Sequence, residues 1–319
     1  MPTNGPGIAV VGSAYLDIVV RQDPAGLATA PDGVLDGDIR FQPGGGLLNV
    51  AGVLHALGAD VRSFGVVGAD APGGVLRSLS DEPLMTAVRG TTAVALIFEN
   101  GHRRTVHKPG SVVIRADRLA RVLEHSDVSA LVIAYANGSP VPLDEVAELA
   151  RAARSIPLAV IAGLHAFAAD ETVATRERAA VRAMMSHADI LAMNEVEACQ
   201  FTEKSNLAAA IDAIQRMLPD MTSVFVTQGA SGVSHVTRRD CVAYRAPSVP
   251  CQRTLGAGDA FLAGLAFGFA SSRRSMAGRE QAVQNARIAA LTAAGNWVSG
   301  VANLQSPFRL DDGISLDHL

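Results

Sequence analysis

Short apolar runs alternate with stretches of helical spacing along most of this chain. Ile8-Ala9-Val10-Val11-Gly12 is a continuous apolar run ending in glycine, the pattern of a strand buried on both faces. Pro43-Gly44-Gly45-Gly46 leads into a helical pattern over 47–57 that Gly58 closes. A strand over 61–67 and a helix over 71–79 follow. From 115 onward the spacing predicts helix 115–124, strand 130–134, helix 143–154, strand 158–161, helix 176–186, strand 190–193, helix 207–218 and strand 223–227. Near Gly258 an apolar helix begins, with Phe261, Leu262, Leu265, Ala266 and Phe269 at helical spacing. Repeated units of this kind predict a central, mostly parallel sheet with helices on both faces.

Two β-rich excursions, 14–42 and 88–108, break the rhythm. Asp32-Gly33, Asp36-Gly37 and Asn100-Gly101 supply tight-turn residues within them. Together they predict a small β-sheet lid over the carboxyl ends of the main strands. The large α/β domain is then formed by 1–13, 43–87 and 109–319. The tail after Asn303 reads as loosely ordered.

Composition narrows the function classes. The 319 residues are 49% apolar and 18% charged, as expected of a compact globule. A net charge of -4 and 4% aromatics give no support to a nucleic-acid partner or a membrane surface. No window reaches the roughly 18–20 apolar residues needed to span a bilayer, and the first residues lack the basic flank of a signal peptide. Cys199, Cys241 and Cys251 are too scattered for a metal site and read as free, buried thiols of a cytoplasmic protein.

The stretch Thr254-Leu255-Gly256-Ala257-Gly258-Asp259 has the strongest chemical content. A helix N-terminus offers unpaired N–H groups to an anion, and the glycines let phosphate oxygens approach the backbone. An acid at such a place makes sense if it takes a proton from a nucleophile, although it could simply complement the helix dipole. Four other stretches add to it. Asp17 follows the first strand, where open α/β sheets bind ligands, and could hydrogen-bond the hydroxyls of a polyol. Gly44, Gly45 and Asn49 could hold a substrate against backbone amides. Asn194 and Glu197 form a capping box, or hold magnesium beside nucleotide phosphates. Thr227, Gly229 and Gly232 make a turn that could also touch a phosphate.

In this order, these motifs resemble the PfkB (ribokinase-like) carbohydrate kinase family over nearly the whole chain. The resemblance rests on Gly44-Gly45 with Asn49 and Ala51, on Gly58 and Gly68, on Asn194-x-x-Glu197, on Thr227-x-Gly229-x-x-Gly232, and on the segment 254–259. It implies a ribokinase-like fold and ATP-dependent phosphorylation of an alcohol, often a sugar CH₂OH. Asp259 would be the general base, and the amides of Gly256, Ala257 and Gly258 the anion hole. Asp17, Gly44, Gly45 and Asn49 would orient the substrate. Asn194, Thr227, Gly229, Gly232 and Asn296 would face the nucleotide, and Glu197 would hold Mg²⁺ through water.

The chain departs from the family in places. An acid usually stands six residues before the catalytic Asp, beside a monovalent-cation site; here Arg253 occupies that position, which argues against potassium activation. No Asp or Asn follows the strand at Ala162-Gly163-Leu164-His165, leaving His165 either a ligand contact or a loop residue. The segment 102–104 is unusually basic for a lid. Trp297 lies near where relatives border the adenine. The acceptor remains open between a sugar and a nucleoside, and a catalytically silent binding protein is a third reading. Unpaired lid strands leave edges needing cover, which suggests a homodimer through the lid.

Overall fold

The computed structural model describes residues 5–21, 38–99, 103–138, 140–156, 158–274 and 278–300. In chain order the strands are β1 (Gly7–Gly12), β2 (Tyr15–Arg21), β3 (Asp38–Gly44), β4 (Asp60–Gly68), β5 (Leu84–Ala87), β6 (Ala93–Glu99) and β7 (Arg103–Lys108). They continue as β8 (Ala130–Ala134), β9 (Ala159–Gly163), β10 (Ile190–Asn194), β11 (Ser223–Thr227), β12 (Val233–Val236) and β13 (Cys241–Tyr244). The helices are α1 (Gly45–Ala56), α2 (Ala71–Leu79), α3 (Ala116–Glu124), α4 (Val146–Ser155), α5 (Glu171–Met185), α6 (Glu195–Thr202), α7 (Leu207–Met217), α8 (Ala257–Arg274) and α9 (Arg279–Val298).

Nine strands form the main sheet in the order β13-β12-β11-β10-β9-β8-β1-β4-β5. The sheet is parallel except at β12 and β13, which close one edge as antiparallel strands. The alternation within β1 explains its continuous apolar run. Ala9 and Val11 pack into a core with Leu119, Leu149, Val181 and Ile214 of α3, α4, α5 and α7. Ile8 and Val10 point the other way, into a core with Leu47, Leu54, Phe261, Leu265 and Ala290 of α1, α8 and α9. Both faces of the strand are therefore dry.

The two β-rich excursions meet in a separate four-stranded sheet of order β3-β2-β6-β7. Here β2 runs parallel to β6 and antiparallel to β3. Asp17 and Ala95 are paired neighbours, so they share one face of this sheet. The turns expected at Asp32-Gly33, Asp36-Gly37 and Asn100-Gly101, and the tail after Asn303, lie outside the described residues.

One sequence expectation needs correction. Of the three free cysteines only Cys199 is even half-buried; Cys241 and Cys251 are exposed. Cys241 sits on the edge strand β13 and Cys251 in the loop before α8. Among the described residues no helix is long and apolar enough to cross a membrane.

Candidate active site

The carboxyl ends of the parallel strands and one face of the small sheet enclose a cleft of about 390 Å³. Each chemically interesting side chain arrives from the end of a different element. Asp17 comes from β2, Asn49 from the second turn of α1, and Tyr135 from just beyond β8. His165 follows β9, Asn194 and Glu197 follow β10, and Thr227 ends β11. Gly256, Gly258 and Asp259 complete the lining from the start of α8. Ala95 and Ile97 cover it from the small sheet.

The loop before α8 is sharply shaped. Gly256 has φ +79°, a left-handed conformation that glycine adopts without strain. A Cβ there would also stand 3.0 Å from the Trp297 ring. Trp297 supports the loop from behind, its indole N–H donating to the Leu255 carbonyl at 2.6 Å. The Ala260 amide closes the first helical turn onto the Gly256 carbonyl at 2.9 Å, leaving the preceding amides at the helix mouth. Ala257 differs from its neighbours: its N–H donates to the Thr254 carbonyl at 3.2 Å, and it is not part of the cleft wall.

Asp259 is only 5% exposed, with its carboxylate at the cleft. Asn49 Nδ2 donates to Oδ2 at 2.7 Å, and the Tyr135 hydroxyl donates to Oδ1 at 2.5 Å. The sequence reading missed Tyr135. A lone aromatic after a strand carries no motif, and only its backbone φ of +64°, invisible in sequence, marks it as unusual.

Across the cleft Asp17 is 7% exposed. Gly44 makes room for it, since a Cβ at Gly44 would lie 2.1 Å from Asp17 Oδ2. Burial, with the Asp17 charge beside it, pushes the Tyr15 phenol above its ordinary pKa.

Asn194 and Glu197 form the expected capping box. Asn194 Oδ1 accepts from the Glu197 amide at 2.9 Å, and Glu197 Oε2 accepts from the Asn194 amide at 2.8 Å. Glu197 is nevertheless at the cleft and 8% exposed. Burial foremost, and then the charge of Asp259, raise its pKa to about 7, while its bonds to Asn194 work in the opposite direction. A buried carboxylate with excess negative charge suits a hard cation. Among the described residues no group of three or more His, Cys, Asp and Glu side chains could hold a metal ion. One carboxylate completed by water and phosphate oxygens is, however, an ordinary magnesium arrangement.

The remaining predicted residues lie as follows. Thr227 lines the cleft, but Gly229 and Gly232 belong to the β11–β12 turn, where the Gln228 amide donates to the Gly232 carbonyl at 2.8 Å. Asn296 is 4% exposed within α9 and is not part of the cleft wall. His165 is at the cleft, held by a reciprocal pair of bonds to Asn137 at 2.8 and 2.9 Å and by an edge contact to Tyr135. Gly101 and His102 lie outside the described residues.

A family model described as pfkB family carbohydrate kinase matches residues 6–303. The chain belongs to this family. It is thus a phosphotransferase acting on hydroxyl groups, with a carbohydrate kinase fold. Its fold is similar to that of ribokinase from Giardia lamblia, at TM-score 0.73 and 18% identity over 94% of this chain and 95% of that one. A probable sugar kinase from Rhizobium etli gives 0.70 and 20%, covering 95% and 97%. The tetrameric inhibited form of phosphofructokinase-2 from Escherichia coli gives 0.67 and 20%, covering 94% and 96%. Among curated proteins, none matches this chain.

Proposed function

We propose that this carbohydrate kinase transfers the γ-phosphoryl group of ATP to a hydroxyl of a small, uncharged sugar. The observation that carries the reading is the position of Asp259, buried at the mouth of a helix and sharing one cleft wall with Gly256 and Gly258. Asp259 takes the proton of the acceptor hydroxyl. The Gly256 and Gly258 amides meet the charge that develops on the transferred group, where one such donor is typically worth about 2.7–4 kcal/mol. The Ala257 amide joins them if the turn to Thr254 opens.

Asp17, Gly45 and Asn49 orient the acceptor, and the small sheet acts as the lid above it. Among the described residues, the cleft wall carries the carboxylates Asp17, Glu197 and Asp259 and neither Lys nor Arg. That balance favours a neutral polyol over a sugar that already bears a phosphate. Asn194 and Thr227 lie on the nucleotide side. Glu197 would hold Mg²⁺ through water, and the bound ion would neutralise charge on the phosphates. We place the protein in the cytoplasm, and we expect Arg253 to make the reaction indifferent to potassium.

A nucleoside acceptor is the second reading. It is favoured by the aromatic side chains Tyr15, Tyr135 and His165 in the same wall, against which a base could stack. A coupled ADP-release screen over monosaccharides and nucleosides, with Asp259→Asn as control, tests both. Turnover confined to sugars and lost in D259N supports the first reading, and turnover confined to nucleosides supports the second. Binding without turnover would make the protein a silent relative.

A further inference from the structure

Tyr135 is held more firmly than a wall residue needs to be. It follows β8 in the left-handed region, φ +64°, which bulky residues seldom adopt. The turn that imposes this is fixed by the Gly138 amide donating to the Tyr135 carbonyl and the Ala136 amide donating to the Gly163 carbonyl, both at 2.8 Å. The ring lies where a Cβ on Gly46 would strike it, 2.6 Å from the nearest ring carbon. His165 meets the ring edge-on at 5.4 Å between centroids. These constraints aim the hydroxyl at Asp259 Oδ1.

We infer that Tyr135 is the positioning residue of the catalytic base: it fixes the Asp259 carboxylate through Oδ1 so that Oδ2 faces the acceptor hydroxyl, which takes the place of the Asn49 amide. This rests on the reading of Asp259 as the base. In the step it serves, the acceptor O–H bond breaks and its proton passes to Oδ2. The oxygen's electron pair forms the new bond to the γ-phosphorus, and ADP leaves with the electrons of the old O–P bond. Tyr135 keeps its own proton throughout. Its donated hydrogen bond also favours the ionised carboxylate, the form a base must start in.

The test compares Tyr135→Phe with the parent protein and with D259N. One measurement is turnover of MgATP with the best acceptor from the sugar and nucleoside panel. The other needs no acceptor: it follows the carboxyl ¹³C resonance of Asp259 with pH in aspartate-labelled protein, assigned by its loss in D259N. Among the described residues the titratable groups on the cleft wall with Asp259 are Tyr135, Tyr15, Asp17, Glu197 and His165; all but Tyr135 are unchanged in Y135F. We expect kcat to fall about tenfold to a hundredfold, the scale of a misplaced reacting group, with both KM values little changed. The Asp259 midpoint and the acid limb of kcat/KM should both move to higher pH. Tyr135→Asn, a residue type that tolerates the left-handed backbone, should lose as much turnover while keeping the parent melting temperature. Parent-like kcat and an unmoved midpoint in Y135F would overturn the inference, as would a rise in KM alone. Turnover that survives D259N would instead overturn the reading of Asp259 itself.

Discussion

Arg253 lies over the indole of Trp297, its guanidinium carbon 3.8 Å from the ring centroid and its Nε donating to the Trp297 carbonyl at 2.8 Å. The same Trp297 donates to the Leu255 carbonyl, so an arginine, a tryptophan and the turn before α8 form one stack. We propose that the guanidinium at this stack does for the turn what a bound potassium ion would do. We expect turnover to be the same in potassium chloride and tetramethylammonium chloride. Arg253→Ala should lower kcat about two- to fivefold, the worth of an exposed cation–π contact of roughly 0.5–1 kcal/mol. Strong potassium activation of the parent protein would remove this role.

Glu197 carries the second expectation. Its pKa in the folded protein is raised from the ordinary 4.5 to about 7, by burial foremost and also by the charge of Asp259, against the opposing bonds to Asn194. Between these two values the folded state binds more protons than the unfolded chain, so stability falls as pH rises through this window. Without nucleotide and magnesium, Glu197→Gln should therefore be the more stable protein at pH 8, by at most on the order of 3 kcal/mol, and should show little gain at pH 4. The same variant should need more magnesium for half-maximal turnover. Urea unfolding at the two pH values and a magnesium titration of the rate check both halves.

His235 titrates in the opposite sense. Its ring stacks on Phe225 at 4.5 Å, its Nε2 is buried without a hydrogen-bond partner, and burial foremost lowers its pKa to about 4. The unfolded chain then binds the extra proton from about pH 6.5 downward. Stability present above that pH is lost as pH falls toward 4, again by on the order of 3 kcal/mol. His235→Phe keeps the stacked ring and removes the titration. Its melting temperature should fall less between pH 7.5 and pH 5 than that of the parent protein; equal losses would place the acid sensitivity elsewhere.

How far the sequence disclosed all this depended on the kind of signal. The continuous apolar strands and the Asn194–Glu197 box are local, and the structure has them where the spacing put them. Helix α9 was not legible. Its buried side is built from Ala282, Ala286, Ala290 and Ala293, small residues that give little amphipathic contrast, and it packs so closely on α8 that a Cβ at Gly264 would meet Ala290 Cα at 2.5 Å. The strands β12 and β13 are not legible in the sequence because each is only 4 residues long, too short for a periodic pattern to stand out. At the site, Asn49 and Asp259 are legible from motifs and Asp17 from its place after the first strand. Tyr135 is 124 positions from Asp259, and only the folded chain brings the two together. Trp297, which by position lies near the adenine of relatives and as a lone Trp is more often a core residue, holds the Leu255 carbonyl through its indole N–H in the fold.

The outer face of the small sheet gives the last expectation. Strand pairing puts Ile18 between Phe41 and Leu96, Val20 beside Ile39, and Leu96 beside Val106, so these side chains share the face opposite Asp17 and Ala95. Ile39, Phe41 and Val106 are 58%, 54% and 62% exposed. Scattered exposed apolar residues are ordinary, but three on one sheet face make a patch that a monomer has reason to cover. A second copy presenting the same face would cover it with twofold symmetry, as homodimers commonly do. Light scattering should then give the mass of a dimer for the parent protein and of a monomer for Phe41→Glu, since a carboxylate on that face would lose its water on association. Asp17 points the other way from Phe41, so at saturating acceptor the monomeric variant should keep the parent kcat. A parent protein that runs as a monomer at all concentrations would leave the patch without this partner.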